Sequence, residues 1–291
     1  KMNNKGLTIS MIFEASSANY GEGMGNISTL KKVSRSGGAG YTYISRQALR
    51  YNMVEQLGWN NTPVEAQGSG DKSVVQFSAD STIKDWPEID LFGYMKTSGQ
   101  KNGATTRSAV ARVSNAVSME PYSADMDFLT NMGLAKRGGK DNQIAQSEIH
   151  MSFYAYTVTI DLERVGIDGE ITISSEEKAR RVCALLDTIQ FLYRDIKGRS
   201  ENLSPVFVIG NVYDRKTPFF DNRLKLKAQN LELEPIQQSM ESAGDTLIGY
   251  VGGTFKNDAE IKAKLSPVSV KSVFDALKEK VTVYYHESNQ N

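Results

Sequence analysis

The side chains best suited to chemistry in this chain are cations gathered at one helix start. Ser45, Arg46, Gln47 and Arg50 stand in YTYISRQALRYNMVEQL, Tyr41 to Leu57. Ser45 is an N-cap residue type, because its hydroxyl can accept an orphan amide hydrogen bond from the first turn. Leu49, Met53 and Leu57 follow at i, i+4 and i+8, the spacing of a buried helical stripe. On a helical wheel Arg46 and Arg50 project at the N-terminal edge of that stripe, beside a groove. Lys31, Lys32 and Arg35 precede them, so Met24 to Val54 holds five Lys or Arg and no acid. Free first-turn amides, a capping hydroxyl and flanking cations make a phosphate-binding arrangement, and each arginine adds a two-pronged fork. The competing account is an ordinary cap with arginine stems lying along the core. Asn26, in the same glycine-rich loop, is of a type that hydrogen-bonds a base or sugar. A second acid-free stripe, Leu91 to Met119, holds Lys96, Lys101, Arg107 and Arg112. Arg107 and Arg112 join the candidate list.

Other chemistries are poorly supported. His150 and His286 are the only histidines and lack ligand or triad spacing. The single cysteine, Cys183, rules out an internal disulfide or a cysteine-based zinc cluster, which fits a reducing cytoplasm. The Gly-Gly pairs at 37–38, 138–139 and 252–253 lack a following Lys-Ser/Thr, so there is no P-loop. The residues point to no cofactor and no metal. Lys plus Arg equals Asp plus Glu at 34 each, so partners must be read from local charge. The start, KMNNKG, has no apolar signal core, and no apolar run is long enough to cross a bilayer.

The elements that must position these groups follow from periodicity. Leu7, Ile9, Met11 and Phe13 alternate with polar residues, predicting a half-buried strand. Residues 15–42 read as a long loop and 46–57 as a helix. Residues 58–106 form an insertion with two loop-like stretches, GSGDKS and SGQKNGATT, around the apolar cluster EIDLFGYM. Residues 107–118 read as a strand. Residues 119–149 form a second insertion, and 150–162, HMSFYAYTVTIDL, is the strongest strand. Ser174 and Glu177 make a capping box before a helix with Val182, Leu185, Leu186, Ile189 and Tyr193 on one face. Pro205 opens a strand, VFVIGN. A helix near 268–280 and a final strand VTVYY close the chain. Without the insertions the order is βαββαβ, an α+β, ferredoxin-like (RRM-like) core. The RNA-recognition signature of exposed sheet aromatics is absent.

Three stretches in order resemble the CRISPR-associated backbone subunit of type I Cascade complexes, the Cas-seven family, in its DevR/Cst-like branch and subtype I-B. They are NYGEGMGN leading to YISRQALR, then EIDLFGYM, then SAVARVSNAVSMEPYSADMDFLTNM followed by FYAYTVTIDL. The resemblance covers about residues 7–162. It implies one domain over 1–291. The palm would take about 6–57, 107–118, 150–213 and part of the C-terminal segment, with fingers at 58–106 and a thumb at 119–149. It implies a non-catalytic, cytoplasmic subunit that coats CRISPR RNA as a helical filament with copies of itself. That filament presents the guide to a target DNA strand beside other Cascade subunits. Ser45, Arg46, Gln47 and Arg50 match the family's guide-backbone contacts. Met119 is the better candidate for a wedge between bases; Phe128 and Leu129 are wedges or a small satellite core. Lys136 and Arg137 would touch nucleic acid or a neighbouring subunit. An alternative is an RNA-cleaving relative using a loop aspartate, Asp125 or Asp127. An operator-binding regulator is a further one, though no helix-turn-helix is visible.

Overall fold

The strand expected at 7–13 runs from Gly6 to Ala15 (β1) and is the centre of the molecule. The computed structural model describes residues 5–16, 19–21, 23, 25–35, 37–68, 73–97 and 103–287. Met24 and Lys101, which belong to the two cationic stripes, lie outside them, as do parts of the two loop-like stretches of 58–106. After β1 come β2 (Ile27–Ser28), β3 (Lys32–Ser34), β4 (Gly40–Ile44) and α1 (Arg46–Leu57). The expected 15–42 loop therefore carries three strands. The 58–106 segment folds as β5 (Val64–Gln67), β6 (Val74–Phe77), α2 (Pro87–Phe92), β7 (Tyr94–Thr97) and the start of β8 (Ala104–Arg107). The strand expected over 107–118 is broken into the end of β8, then β9 (Ala111–Val113) and β10 (Ala116–Ser118). Residues 119–149 give β11 (Asp125–Thr130), α3 (Met132–Gly138) and β12 (Ile144–Ile149), and β13 (Ser152–Asp161) follows.

Beyond it lie β14 (Ile167–Asp168), β15 (Ile171–Thr172), α4 (Ser175–Gln190), β16 (Tyr193–Ile196), β17 (Arg199–Asn202) and β18 (Phe207–Tyr213). The chain ends with β19 (Leu226–Lys227), β20 (Asn230–Leu231), α5 (Glu234–Ala243), β21 (Leu247–Tyr250), α6 (Asp258–Leu265) and α7 (Val270–Glu287). Among the described residues an eight-stranded sheet runs β21-β18-β1-β13-β10-β4-β3, with β9 also paired to β13. All its pairings are antiparallel.

Alternation along β1 sends Leu7, Ile9, Met11 and Phe13 to the face covered by α1, α4 and α7, where they pack with Leu49, Val182, Leu186 and Phe274. The other face, expected to be wet, carries a second core around Ile12, Phe207, Ile209, Phe220 and Ile236. β1 is thus buried on both faces, because the C-terminal segment wraps beneath the sheet. Two more expectations are corrected. VTVYY is helical: Val281 and Tyr285 are both buried on α7, four residues apart, and the Tyr285 hydroxyl donates to the Leu162 carbonyl at 2.8 Å. β-branched and aromatic composition loses there to helix packing. α4 stops at Gln190, so Tyr193 lies on β16 instead of on the helix stripe.

Among the described residues no helix is long and apolar enough to cross a membrane.

Candidate nucleic-acid interface

Ser45 caps α1: its Oγ accepts the Ala48 N–H at 3.3 Å. The same hydroxyl donates to Asn19 Oδ1 at 2.6 Å, and that oxygen also takes the Ser45 N–H at 3.2 Å. The Arg46 N–H goes to Asn115 Oδ1 at 2.8 Å. The Arg46 and Ala48 amides of the first turn are therefore taken by Asn115 and by Ser45 itself, and Ser45 is buried. The side chains of Arg46, Gln47 and Arg50 line an open cleft.

These three converge with Arg112, from β9, on that cleft of about 260 Å³, walled by Phe92 at the end of α2 and by Ala109, Ala111 and Val113. No carboxylate lines it. The Arg50 guanidinium lies over the Phe92 ring, 5.8 Å from its centre. Burial pushes the nearby Glu88 carboxyl up, against a hydrogen bond from Thr62 and the charge of Arg50. Three separate stretches thus assemble one cationic groove of the kind that holds a polyanion.

A larger cleft, about 460 Å³, opens on the opposite face of the sheet and includes Arg35, Tyr41, Ser114 and Asn115. Arg35 stacks on the Tyr41 ring at 4.6 Å. Asn115 lines the larger cleft and holds the backbone of Arg46, which lines the smaller.

The family model described as "CRISPR-associated negative auto-regulator DevR/Csa2" matches residues 7–229. The chain belongs to that family. A curated relative from Myxococcus xanthus (strain DK1622), "CRISPR-associated protein Cas7/Cst2/DevR", is 30% identical over 183 residues, covering 57% of this chain. The match spans 59% of that relative's length. Two solved structures share the fold. A "CRISPR RNA-guided surveillance complex, pre-nicking" chain has a TM-score of 0.60 at 12% identity, covering 95% of this chain and all of that one. A "CRISPR RNA-guided surveillance complex" chain has a TM-score of 0.59 at 16% identity, covering 94% and 99%.

Within this DevR/Csa2 chain the other candidate residues separate sharply. Arg107 is buried and spent: it donates to the Asp90 carboxylate at 2.7 Å and to the carbonyls of Asp90, Ile167 and Arg164. It cannot face a strand, and it is withdrawn from the interface. Lys96 is likewise turned inward, onto the carbonyls of Ala79 and Ser81. Met119, expected as a wedge, is 9% exposed and sits in the second core beneath the sheet. Phe128 and Leu129 are 62% and 69% exposed on β11, so they make no satellite core. Lys136 and Arg137 stand exposed in the last turn of α3, where they also complement the helix dipole.

Lys32 is paired with Glu148 of β12 and lies 4.5 Å over the Tyr122 ring. Lys31 is half-buried, and Asn26 is exposed with its carbonyl taken by the Gln146 N–H at 2.9 Å. These residues belong with the 119–149 segment, since β2 pairs with β12 in parallel. Asp125 and Asp127 are exposed on β11. The His150 ring packs edge-on against Tyr122, 5.5 Å between ring centres, and burial pushes its pKa down against the charge of Glu120. The ring is buried, with Nδ1 bonded to the Thr42 hydroxyl at 2.7 Å. Sequence reading missed Asn19 and Asn115. The one available signal for Asn115 was an asparagine, a poor strand former, interrupting the alternating run 107–118.

Proposed function

We propose that this chain is a non-catalytic subunit that binds CRISPR RNA, polymerises along it with copies of itself, and presents the guide to target DNA within a Cascade-type complex in the cytoplasm. Membership of the DevR/Csa2 family and a fold shared with chains of CRISPR RNA-guided surveillance complexes support a place in such a complex. The observation that carries the RNA-binding reading is the carboxylate-free cleft formed by Arg46, Gln47, Arg50 and Arg112. The palm in this reading is ferredoxin-like. β1, α1, β9–β10, β13, α4 and β18 follow the βαββαβ order, and in the sheet the strands lie fourth, first, third, second. The fingers are then the 58–106 segment and the thumb the 119–149 segment, with Phe128 and Leu129 as its wedge candidates.

The test is binding of single-stranded RNA by an Arg46→Glu/Arg50→Glu variant. Affinity falls uniformly across sequences, and the slope of log affinity against log salt drops by about 0.7 for each phosphate no longer neutralised. Unchanged assembly on RNA overturns the site. Labelled target RNA incubated with the assembled protein and divalent metal stays intact. Cleavage that disappears in Asp127→Ala overturns the non-catalytic reading.

A further inference from the structure

The cationic groove takes its walls from different parts of the fold. Arg46, Gln47 and Arg50 stand on α1, and Arg112 stands on β9. Such a groove grips a polyanion well only if its walls are held at a fixed spacing before binding. The strand that carries Arg112 is irregular where it approaches α1. β9 and β10 both pair with β13, but in different registers. Val113 lies opposite Val158 and Val117 opposite Ala155, so four steps on one side match three on the other. The extra residue makes a β-bulge within 114–116, and a bulge re-aims a side chain. Ser114 stabilises the bulge. Its N–H donates to the Thr157 carbonyl at 2.9 Å, and its Oγ accepts the Thr157 N–H at 2.9 Å in place of a ladder carbonyl. β10 also pairs with β4, Ala116 opposite Ile44, so one further step brings Asn115 to Ser45, where α1 begins. There Asn115 Oδ1 accepts the Arg46 N–H at 2.8 Å. Asn115 is thus three residues from Arg112 along the chain and one hydrogen bond from Arg46.

We propose that Asn115 is a positioning residue for the groove: its side chain clasps the β9–β10 bulge to α1 and holds Arg112 and Arg46 at the spacing that meets one run of sugar–phosphate. The inference rests on the RNA-binding reading above and adds to it what sets the geometry of the site. Asn115 acts through the arginines and not on the bases, so its effect is the same for a guide of any sequence. An asparagine that only capped α1 would change stability alone. The bond is exposed, so water takes up the Arg46 N–H when the side chain is cut back, and the fold survives. What is lost is the fixed relation of the two walls, which RNA must then impose at the expense of affinity.

The full chain and its Asn115→Ala, Arg112→Gln and doubly substituted Asn115→Ala/Arg112→Gln variants are titrated with two single-stranded RNAs of unrelated sequence, and each variant is melted. Asn115→Ala weakens both RNAs about three- to tenfold, the range of one hydrogen bond. In the Arg112→Gln background the same change weakens them by less than about twofold, because no second cation is left to align. That coupling is the readout a purely structural role does not move. If the alanine variant melts early, Asn115→Gln takes its place: it keeps the amide but sets it one methylene further out, and it gives the same pattern. A variant that melts and binds as the native chain does overturns the positioning role, while native RNA binding keeps the RNA-binding reading standing. A loss of equal size with and without Arg112 overturns it as well, since Asn115 then acts by itself. A native chain that binds neither RNA ends the RNA-binding reading, and the inference with it.

Discussion

Met119 and Phe128 hold opposite positions to those their sequence neighbours suggest. Met119 precedes Glu120-Pro121, a turn signal, yet its backbone N–H is bonded to the Phe153 carbonyl at 2.7 Å and its side chain drops into the core under the sheet. Truncation to alanine leaves a cavity, so Met119→Ala destabilises by about 2–5 kcal/mol in urea unfolding. Phe128→Ala changes stability by no more than about 0.5 kcal/mol, as expected for an exposed side chain. If its ring stacks on a base, the same variant weakens RNA binding by about 1–3 kcal/mol. Nothing in the local pattern distinguished the two, because burial of Met119 depends on the C-terminal segment, far along the chain. Arg46, Gln47, Arg50 and Arg112, by contrast, could be placed from local rules. Three lie just past a helix cap, and Arg112 lies in a strand of alternating residues.

At the scale of elements, α2 is fixed to β8 and α4 by charge. Asp90 is fully buried and accepts from Arg107 at 2.7 Å, from Arg181 of α4 at 2.9 Å, and from the Gly166 N–H at 3.0 Å. Removing it leaves Arg181 with Glu177 alone and Arg107 with only the more distant Asp168, at 3.7 Å, so Asp90→Ala costs about 3 kcal/mol, the low end for breaking a buried pair. The same change displaces Phe92, a wall of the cationic groove, so RNA affinity falls with stability; equilibrium unfolding and RNA titration together check this. Neither arginine was legible as structural, since their common partner sits in a motif read only for its apolar residues. The capping box at α4 was legible by half. Ser174 accepts the Glu177 N–H at 3.2 Å, but the Glu177 carboxylate turns to Arg180 and Arg181. The hydrogen bond from Arg180, with that from Arg181, holds its carboxyl down to about 2. Its folded pKa is below the unfolded one, so its contribution is complete above about pH 5 and is lost as pH falls toward 2. Glu177→Gln therefore lowers the melting temperature at neutral pH, and the gap to the native chain closes over that acid window.

Over the whole molecule the charge balance is zero, yet cations and acids are sorted by place. Total charge gives no attraction for RNA; the groove does, and steeply salt-dependent binding by a neutral protein is the expected signature. The order of β1, α1, β13, α4 and β18 was readable because each keeps its own hydrophobic period. The linear stripes were not readable as surfaces. Lys96 and Arg107 turn inward, while Arg35 and Arg46 border different clefts, and Asn115, between β9 and β10, lines the first and holds the Arg46 backbone at the second.

The parallel pairing of β2 with β12 has a mechanical meaning. Glu148 holds the Leu30 N–H at 2.7 Å and the Lys32 ammonium, and its carbonyl takes the Tyr20 hydroxyl at 3.0 Å. The protruding hairpin and the cation-bearing segment before α1 are thereby riveted into a single lever. Any partner that tilts the hairpin must drag Lys31, Lys32 and Asn26 along, and the Tyr43 N–H held by the Lys31 carbonyl at 3.0 Å passes that displacement to β4, the strand that leads into α1.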